Sequence, residues 1–412
     1  MMTFKVLIDS RRRINSGIGR VSQWLSANLI LDRQEFEVLN LTTEDNKKSD
    51  YEFYENHVVT TDIKPFSHDE FLLLPKLVAS IKPDLYINPQ STWSPLHTTP
   101  SINIVHDLWA IKNPEWLPTE PDIKARFHID GIGFFDNLSK WFTEELAKAL
   151  LTEYGYKEWL NAKTMDNKIW LACWAQYAAT VSMSRKCVAV SPCVKSEIIK
   201  YFRFGNDSQI IYNIPKSFEG IRDYQRNAKH FLTLSKLENR KNLDFLLDAY
   251  EQYCCEASRP IPLIIAGDPG YISVARRLLD RISRMNVSGH VVHFKQSVTD
   301  NELGDLFQHS CALIFPTLYE GFGLPALEGM LSRIPVIATK TGMMTTHLGQ
   351  YASLISGNDV NELVERMVSV QNGKLNLRTT EAEAAARCFI SDCNSRNEWI
   401  SLIKTLRESL AH

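Results

Sequence analysis

Short runs of β-branched and aliphatic residues alternate with helix-patterned stretches along most of the chain. The run "FKVLID" (4–9) leads into a glycine-containing loop and then "RVSQWLSANLI", where Val21, Trp24, Leu25 and Leu29 share one helix face. Buried-strand patterns follow at "DLYIN" (84–88), "INIVHD" (102–107), "CVAVS" (187–191) and "QIIYN" (209–213). A second series comprises "HFLTLS" (230–235), "IPLIIAG" (261–267), "HVVHF" (290–294), "CALIFP" (311–316), "IPVIAT" (334–339) and "ASLI" (352–355). Helical patterns such as "NLDFLLDAYEQY" and "NELVERMVSV" lie between or after these runs. Two successive β-α series predict an α/β protein with two doubly wound parallel sheets, each covered by helices. The expected division is 1–215, 216–390 and a terminal helix over 391–412. The polar segment 215–229, opened by Pro215, is the expected hinge. An aromatic-rich stretch near 117–180, with "GIGFFDNLSKWF" and "WLACWAQY", reads as inserted helices. Its aromatics could serve as core, as an oligomer contact or as a surface for a lipid-linked molecule.

Bulk numbers narrow the class. At 412 residues the chain exceeds one ordinary core, which agrees with two domains. With 44% hydrophobic and 23% charged residues and a net charge of −2, it lacks the basic balance of a general nucleic-acid binder. No apolar run approaches membrane-spanning length. In "MMTFKVLIDSRRR" the positive charge follows the apolar stretch, the reverse of a secretory signal, so a cytoplasmic setting is expected. The eight cysteines show no CxxC pair or zinc-type spacing, and several sit in apolar segments; buried free thiols are expected.

In doubly wound sheets, ligands bind beyond the carboxyl ends of the strands, so those loops carry the candidate chemistry. The most informative is "FPTLYEGFGLPALEGM" (315–330). Gly321 and Gly323 would let a ligand approach the backbone. Pro325 suits a first helical turn, whose free amides would face an anion such as a phosphate. Glu328 would lie one turn inside, where a carboxylate can accept both hydroxyls of a ribose. Glu320 would reach the hydroxyls of a bound sugar. The plain alternative makes Glu328 a helix-dipole partner and Glu320 a solvated turn residue; the full strand-PT-x-x-EGFG-x-P-x-x-E pattern argues against it.

In "LSKLENRKNLDFLLDAY" (234–250), Lys236, Arg240 and Lys241 stand between a strand end and a helix opening near Asn242. Three cations so placed can clamp a phosphate, although Lys and Arg in such a loop are ordinarily solvated. In "DSRRRINSGIGRVSQWL" (9–25), Gly17 and Gly19 form half of a dinucleotide fingerprint without its third glycine. It reads poorly for a nicotinamide. It fits better as a helix start facing a diphosphate or acceptor, with Arg20 adding charge; Arg11, Arg12 and Arg13 are either part of that or a solvated loop. His106 and Asp107 end a buried strand, where a histidine could contact a sugar hydroxyl or carry a proton, or be merely structural.

Taken together these segments resemble family 4 glycosyltransferases of the GT-B fold. The resemblance covers most of the chain in order: "GIGR", "VHDL…NPEW", "VAVSPCVKSEI", "IIYNIP", "LSKLENRKNLDFLLDAY", "PLIIAGDPG", "VHFKQSVTDNELGDLF", "PTLYEGFGLPALEGM" and "IPVIATKTG". It implies two Rossmann-like domains facing across a cleft, acceptor side first and donor-nucleotide side second, with the last helix crossing back. It implies that Glu328 holds the ribose, Glu320 meets the donor sugar, and Lys241 clamps the diphosphate with Lys236 or Arg240. Phe322 and Leu324, within the Gly321–Gly323 turn and at the helix start, join the donor site. Gly17, Gly19, Arg20, His106 and Asp107 match the acceptor-side loops. The chain departs from the pattern at Thr345 and Thr346, where many members carry Pro-Glu, and at Arg333, where a glycine is usual.

The implied activity is retaining transfer of a hexose from a nucleotide-diphosphate sugar, UDP ahead of GDP, to a glycan or lipid-linked saccharide. Envelope or exported-polysaccharide assembly is the implied setting, with possible peripheral contact at the inner face of the membrane. No DxD occurs, so no metal or other cofactor is expected, and protein cations would hold the leaving diphosphate. Same-face attack, with the departing phosphate taking the acceptor's proton, leaves Glu320 a positioning group. Closure of the two domains would exclude water. The rivals are a sugar-nucleotide epimerase on the same fold and a catalytically silent nucleotide-sugar binder.

Overall fold

The computed structural model describes residues 3–12, 17–30, 34–44, 57–65, 67–90, 94–127, 133–165, 167–215, 229–374 and 378–410. They form two compact units, one of residues 1–214 with 394–412, the other of residues 215–393. Most of the expected hinge, 216–228, lies outside the described residues, as does Arg13.

The first unit is built on a seven-stranded parallel sheet. Its strands are β1 (Phe4–Asp9), β2 (Phe36–Thr42), β3 (Val58–Thr60), β4 (Leu85–Asn88), β5 (Ser101–Val105), β6 (Lys186–Ala189) and β7 (Gln209–Ile210), in the order β3-β2-β1-β4-β5-β6-β7. β2 and β3 are additions to the sequence reading. β2 lies parallel to β1, with Phe4 opposite Phe36 and Asp9 opposite Leu41. Five helices fill the expected insertion: Glu120–Phe127, Gly133–Trp141, Glu144–Leu150, Glu153–Thr164 and Lys168–Ser182. Trp159, Trp170, Trp174 and Tyr177 are buried, so these aromatics are spent on core. A fully buried large side chain of this kind stabilises by several kcal/mol, judged by the about 3–5 kcal/mol that truncation costs.

The second unit carries six parallel strands: β8 (His230–Leu234), β9 (Leu263–Ala266), β10 (Val292–Lys295), β11 (Ser310–Phe315), β12 (Val336–Thr339) and β13 (Ser353–Ile355). Their order is β10-β9-β8-β11-β12-β13. Successive side chains on a strand point to opposite faces. Phe231, Ile265 and Ile314 accordingly enter the core under the helix Leu243–Glu256, while Leu232, Ile264 and Leu313 pack with Leu306 and Phe307 on the other face. A sheet buried on both faces reads as continuous apolar runs, and "CALIF" is one.

This order fixes where a ligand can sit. The chain leaves β8 toward β9 and β10, then returns to β11 on the other side of β8, so the β8/β11 boundary is a topological switch point. The loops 235–242 and 316–323 emerge there together. In the first unit the same switch lies between β1 and β4.

All eight cysteines are free thiols. Cys187 and Cys311, in apolar runs, are buried as expected, whereas Cys193, Cys255 and Cys388 are exposed on helices.

Candidate functional site

Two loops meet at the β8/β11 switch. After β8 the chain passes Lys236, makes a turn of 3-10 helix at Asn239–Lys241 and opens the helix Leu243–Glu256. Asn242 caps that helix in the left-handed conformation, φ 57°, and its side-chain amide donates to the Gly357 carbonyl at 2.8 Å. An asparagine tolerates this backbone better than most residues. After β11 the chain runs through Thr317 to Gly323, which caps the helix Leu324–Leu331 at φ 97°. Only glycine adopts that angle without strain, so the EGFG turn owes its last glycine to the helix start.

The loops are tied by the backbone: the Leu318 N–H donates to the Arg240 carbonyl at 2.8 Å. Glu320 then turns back toward the cations. One carboxylate oxygen, Oε1, receives Lys241 Nζ, with Arg240 Nη1 at 3.4 Å and Thr317 Oγ1 at 3.2 Å. Arg240 Nε also donates to Glu238 Oε2 at 3.0 Å. The ammonium of Lys241 lies 5.6 Å from the Phe315 ring centre, a cation-π distance. Thr317 Oγ1 is also 3.2 Å from the carbonyl oxygens of Arg240 and Tyr319, and its single proton can serve only one acceptor at a time.

Burial sharpens the electrostatics. Lys241 is 9% exposed, and burial, then the neighbouring Arg240, pushes its ammonium below the usual lysine range. Burial by itself would raise the Glu320 carboxyl; Lys241 and Arg240 outweigh it and hold it below the ordinary carboxylate range. The cluster is an ionised carboxylate between two partly desolvated cations. Glu328 sits in the helix, one turn in, and is 1% exposed. Gly321, Phe322 and Gly323 are buried, and Lys236 is half-buried at the end of β8. The structure thus brings Lys236, Arg240, Lys241, Glu320, the Gly321–Leu324 turn and Glu328 to one end of one sheet. The segment carrying Thr345 and Thr346 follows β12, and Gly342 within it packs on this turn. A Cβ built on Gly342 would stand 2.6 Å from the Phe322 carbonyl oxygen, so the departure from the family pattern begins after a glycine the packing requires.

In the first unit, Gly17, Gly19 and Arg20 form the first turn of the helix Gly17–Leu29, which follows β1. His106 and Asp107 follow β5. His106 Nε2 donates to the Pro89 carbonyl at 2.7 Å, and burial lowers its pKa to about 4, so the imidazole is neutral at pH 7. Its open nitrogen, Nδ1, can accept a hydrogen bond there; a proton carried between neutral groups would need that value raised.

The three arginines after β1 divide. Arg11 is 3% exposed: Nη2 pairs with Asp9 Oδ2 at 2.6 Å and with Glu70 Oε1 at 2.7 Å, and Nη1 donates to the Ile63 carbonyl. Tyr86 donates its phenol to Asp9 Oδ2 at 2.7 Å. Arg11 is therefore neither solvated nor available to a ligand, which corrects both readings of that residue. Arg12 instead donates to the Gln90 side chain at 2.5 Å, across the β1/β4 switch. The Asp9–Arg11–Glu70–Tyr86 network had no sequence signal beyond Asp9 and Arg11 standing two apart, because Glu70 is 59 positions away.

Comparison with known proteins places this arrangement. Residues 221–387 match the family described as glycosyl transferases group 1, a span that contains Lys236, Arg240, Lys241, Glu320, the Gly321–Leu324 turn and Glu328. Among curated relatives, the O-antigen chain mannosyltransferase B of Escherichia coli is 27% identical over 45% of this chain and 51% of its own length. The serotype-specific mannosyltransferase WbdA of the same species is 24% identical over 48% of this chain and 26% of its own. The chain spans about half or less of the length of these curated relatives. Solved structures reach further: the sucrose-phosphate synthase of Thermosynechococcus elongatus superposes with a TM-score of 0.66 at 14% identity, over 98% of this chain and 100% of that one. Anabaena HepE in complex with UDP and glucose gives 0.62 at 18% identity, over 98% and 100%. At these identities the likeness is one of fold, and the two Rossmann-like units are of the GT-B type. No helix among the described residues is long and apolar enough to cross a membrane.

Proposed function

We propose that this chain is a retaining glycosyltransferase that moves a hexose from a nucleotide-diphosphate sugar to a saccharide or lipid-linked saccharide. The observation that carries the reading is the cluster at the β8/β11 switch: Lys241 and Arg240 on Glu320, beside a glycine-capped helix start. The second unit then takes the donor nucleotide, with Glu328 on the ribose, and the first unit takes the acceptor with Gly17, Gly19, Arg20, His106 and Asp107. Relatives named as mannosyltransferases favour a mannosyl donor, which brings GDP level with UDP as the base carrier. Their O-antigen names favour an envelope polysaccharide as product, made at the cytoplasmic face with at most peripheral membrane contact.

As the bond from the sugar to phosphate oxygen breaks, negative charge grows on the leaving diphosphate. Lys241, Arg240, Lys236 and the amides at Gly321 to Gly323 meet that charge where it forms. The acceptor oxygen bonds to the same face of the sugar and its proton passes to the departing phosphate. Glu320 positions the sugar. In this scheme the cations do the work of a metal, so EDTA leaves turnover unchanged.

Titration calorimetry with UDP and GDP, with and without EDTA, tests the donor reading. Saturable binding of one of them, insensitive to EDTA and lost in Lys241→Ala, is the expected result. Binding that ignores Lys241, or the absence of binding to either, overturns the clamp. Conversion of a nucleotide sugar without any acceptor would instead identify an epimerase, and donor binding without turnover a silent binder.

A further inference from the structure

We propose that Glu320 is an internal counter-anion which a bound diphosphate must displace, and that this exchange makes the site favour a nucleotide sugar over the bare nucleoside diphosphate. The inference rests on the donor-side reading above and adds to it an order of preference between substrate and product.

Lys241 and Arg240 are faced by two carboxylates, Glu320 and Glu238. Side chains of Lys241 and Glu320 are 10% and 12% exposed, so water screens this contact little. A diphosphate brings at least two further negative charges to the same ammonium. Carboxylate and phosphate cannot both stay against Lys241 Nζ without like-charge repulsion in a poorly hydrated place. Glu320 is the group that can yield. Its loop is pinned at Thr317 and Leu318, by Thr339 Oγ1 on the Thr317 carbonyl and by Leu318 N–H on the Arg240 carbonyl, so a rotamer change of Glu320 suffices. Thr317 loses nothing by it, because its hydroxyl can turn to the carbonyls 3.2 Å away.

What differs between ligands is the new partner of Glu320. A hexose on the diphosphate offers hydroxyl donors to the released carboxylate. A bare nucleoside diphosphate offers none there, so the displaced Glu320 must stay near the phosphates without compensation. Glu320 thereby penalises product more than donor and hastens product departure.

The test measures, by calorimetry, inorganic pyrophosphate, UDP and GDP against the full chain and its Glu320→Gln and Lys241→Ala variants. Glutamine is nearly isosteric and uncharged. The expected result is that Glu320→Gln binds pyrophosphate and the accepted nucleoside diphosphate about tenfold more tightly than the parent, a modest gain for removing one neighbouring like charge. Its affinity for the nucleotide sugar should not rise in step, so product inhibition of transfer deepens. Equal or weaker pyrophosphate binding in Glu320→Gln overturns the proposal, while the donor reading stands if Lys241→Ala still loses the nucleotide. Pyrophosphate bound in this pattern without any nucleoside diphosphate supports the exchange and removes the donor reading. No pyrophosphate binding by any form overturns the exchange, and the donor reading falls with it only if UDP and GDP also fail to bind. Should Glu320→Gln fold poorly, Glu320→Asp, which keeps the charge but shortens its reach to Lys241, should also tighten pyrophosphate, and failure to do so counts against the exchange.

Discussion

Replacing Arg11 by methionine should destabilise the first unit by an amount the structure bounds. Arg11 bonds Asp9 through Nε and Nη2, and Glu70 through Nη2, with all three residues under 5% exposed. Removing one partner of such a buried group leaves uncompensated charge, at a cost of about 3–5 kcal/mol. The sign of the pH dependence separates this mechanism from simple loss of packing. In the parent, burial alone would raise Asp9, but Arg11 holds it below the ordinary carboxylate value. Its stabilisation is therefore complete above the unfolded pKa of about 3.9 and is lost as pH falls through the lower folded value. In Arg11→Met, burial is no longer outweighed and the folded Asp9 carboxyl rises above its unfolded value. Stability of the variant then falls as pH rises from that unfolded value, so its deficit is greatest near neutrality and shrinks on acidification. Urea denaturation followed by tryptophan fluorescence reads this unit alone, because all nine tryptophans lie within residues 1–214 and 394–412. A deficit below about 1 kcal/mol at pH 7, the range of ordinary point mutations, would refute the buried-network reasoning. So would a deficit that stays constant as pH falls from 7 to that unfolded value of about 3.9.

Three further outcomes are expected. Glu328→Ala should weaken nucleotide binding by about 1.5–3 kcal/mol, the worth of a charged hydrogen bond, and parental affinity by calorimetry would remove the ribose role. Gly342→Ala should lower the stability of the second unit by about 2–4 kcal/mol in urea followed by far-ultraviolet dichroism. Its φ of 52° strains any L side chain, and its Cβ would press on the Phe322 carbonyl; an unchanged midpoint would sink that account. Glu320 contributes stability that is complete above its unfolded pKa of about 4.3 and is lost as acid carries the pH through its lowered folded value. Glu320→Gln should therefore flatten the acid side of the second unit's stability profile, and an unaltered acid limb would contradict the ion pairing.

The strands that carry the candidate site were readable because a parallel strand buried on both faces is a short apolar run ending abruptly in polar or glycine residues. "CALIFPT" and "HFLTLSK" do this, and their ends in the structure fall at Phe315 and Leu234. β2 was missed although "FEVLNLT" mixes polar and apolar positions as a half-buried strand does, since Glu37 and Leu39 are only partly covered. β3 is a three-residue edge strand, too short for any period to register. The residues that meet at the β8/β11 switch could be singled out from motif and resemblance, but not that Lys241 and Glu320 touch. They are 79 positions apart, and only the return of β11 to the flank of β8 joins them. Arg11 failed for the related reason that a run of three arginines looks solvated until distant Glu70 and Tyr86 supply partners.

The helix Ser395–Leu410 has a consequence for the order in which the protein forms. It belongs to the first unit, with Trp399, Ile403 and Leu406 buried, Ser395 bonded to the Tyr212 carbonyl and Lys404 paired with Glu35. The second unit, 215–393, is one unbroken stretch of chain. On a ribosome it can be complete as soon as it emerges, whereas the first unit, although made earlier, waits for this helix to cover its remaining apolar surface. Chains released after residue 393, with the second unit fully emerged, should therefore carry a finished second unit and an unfinished first one, the reverse of their order of synthesis.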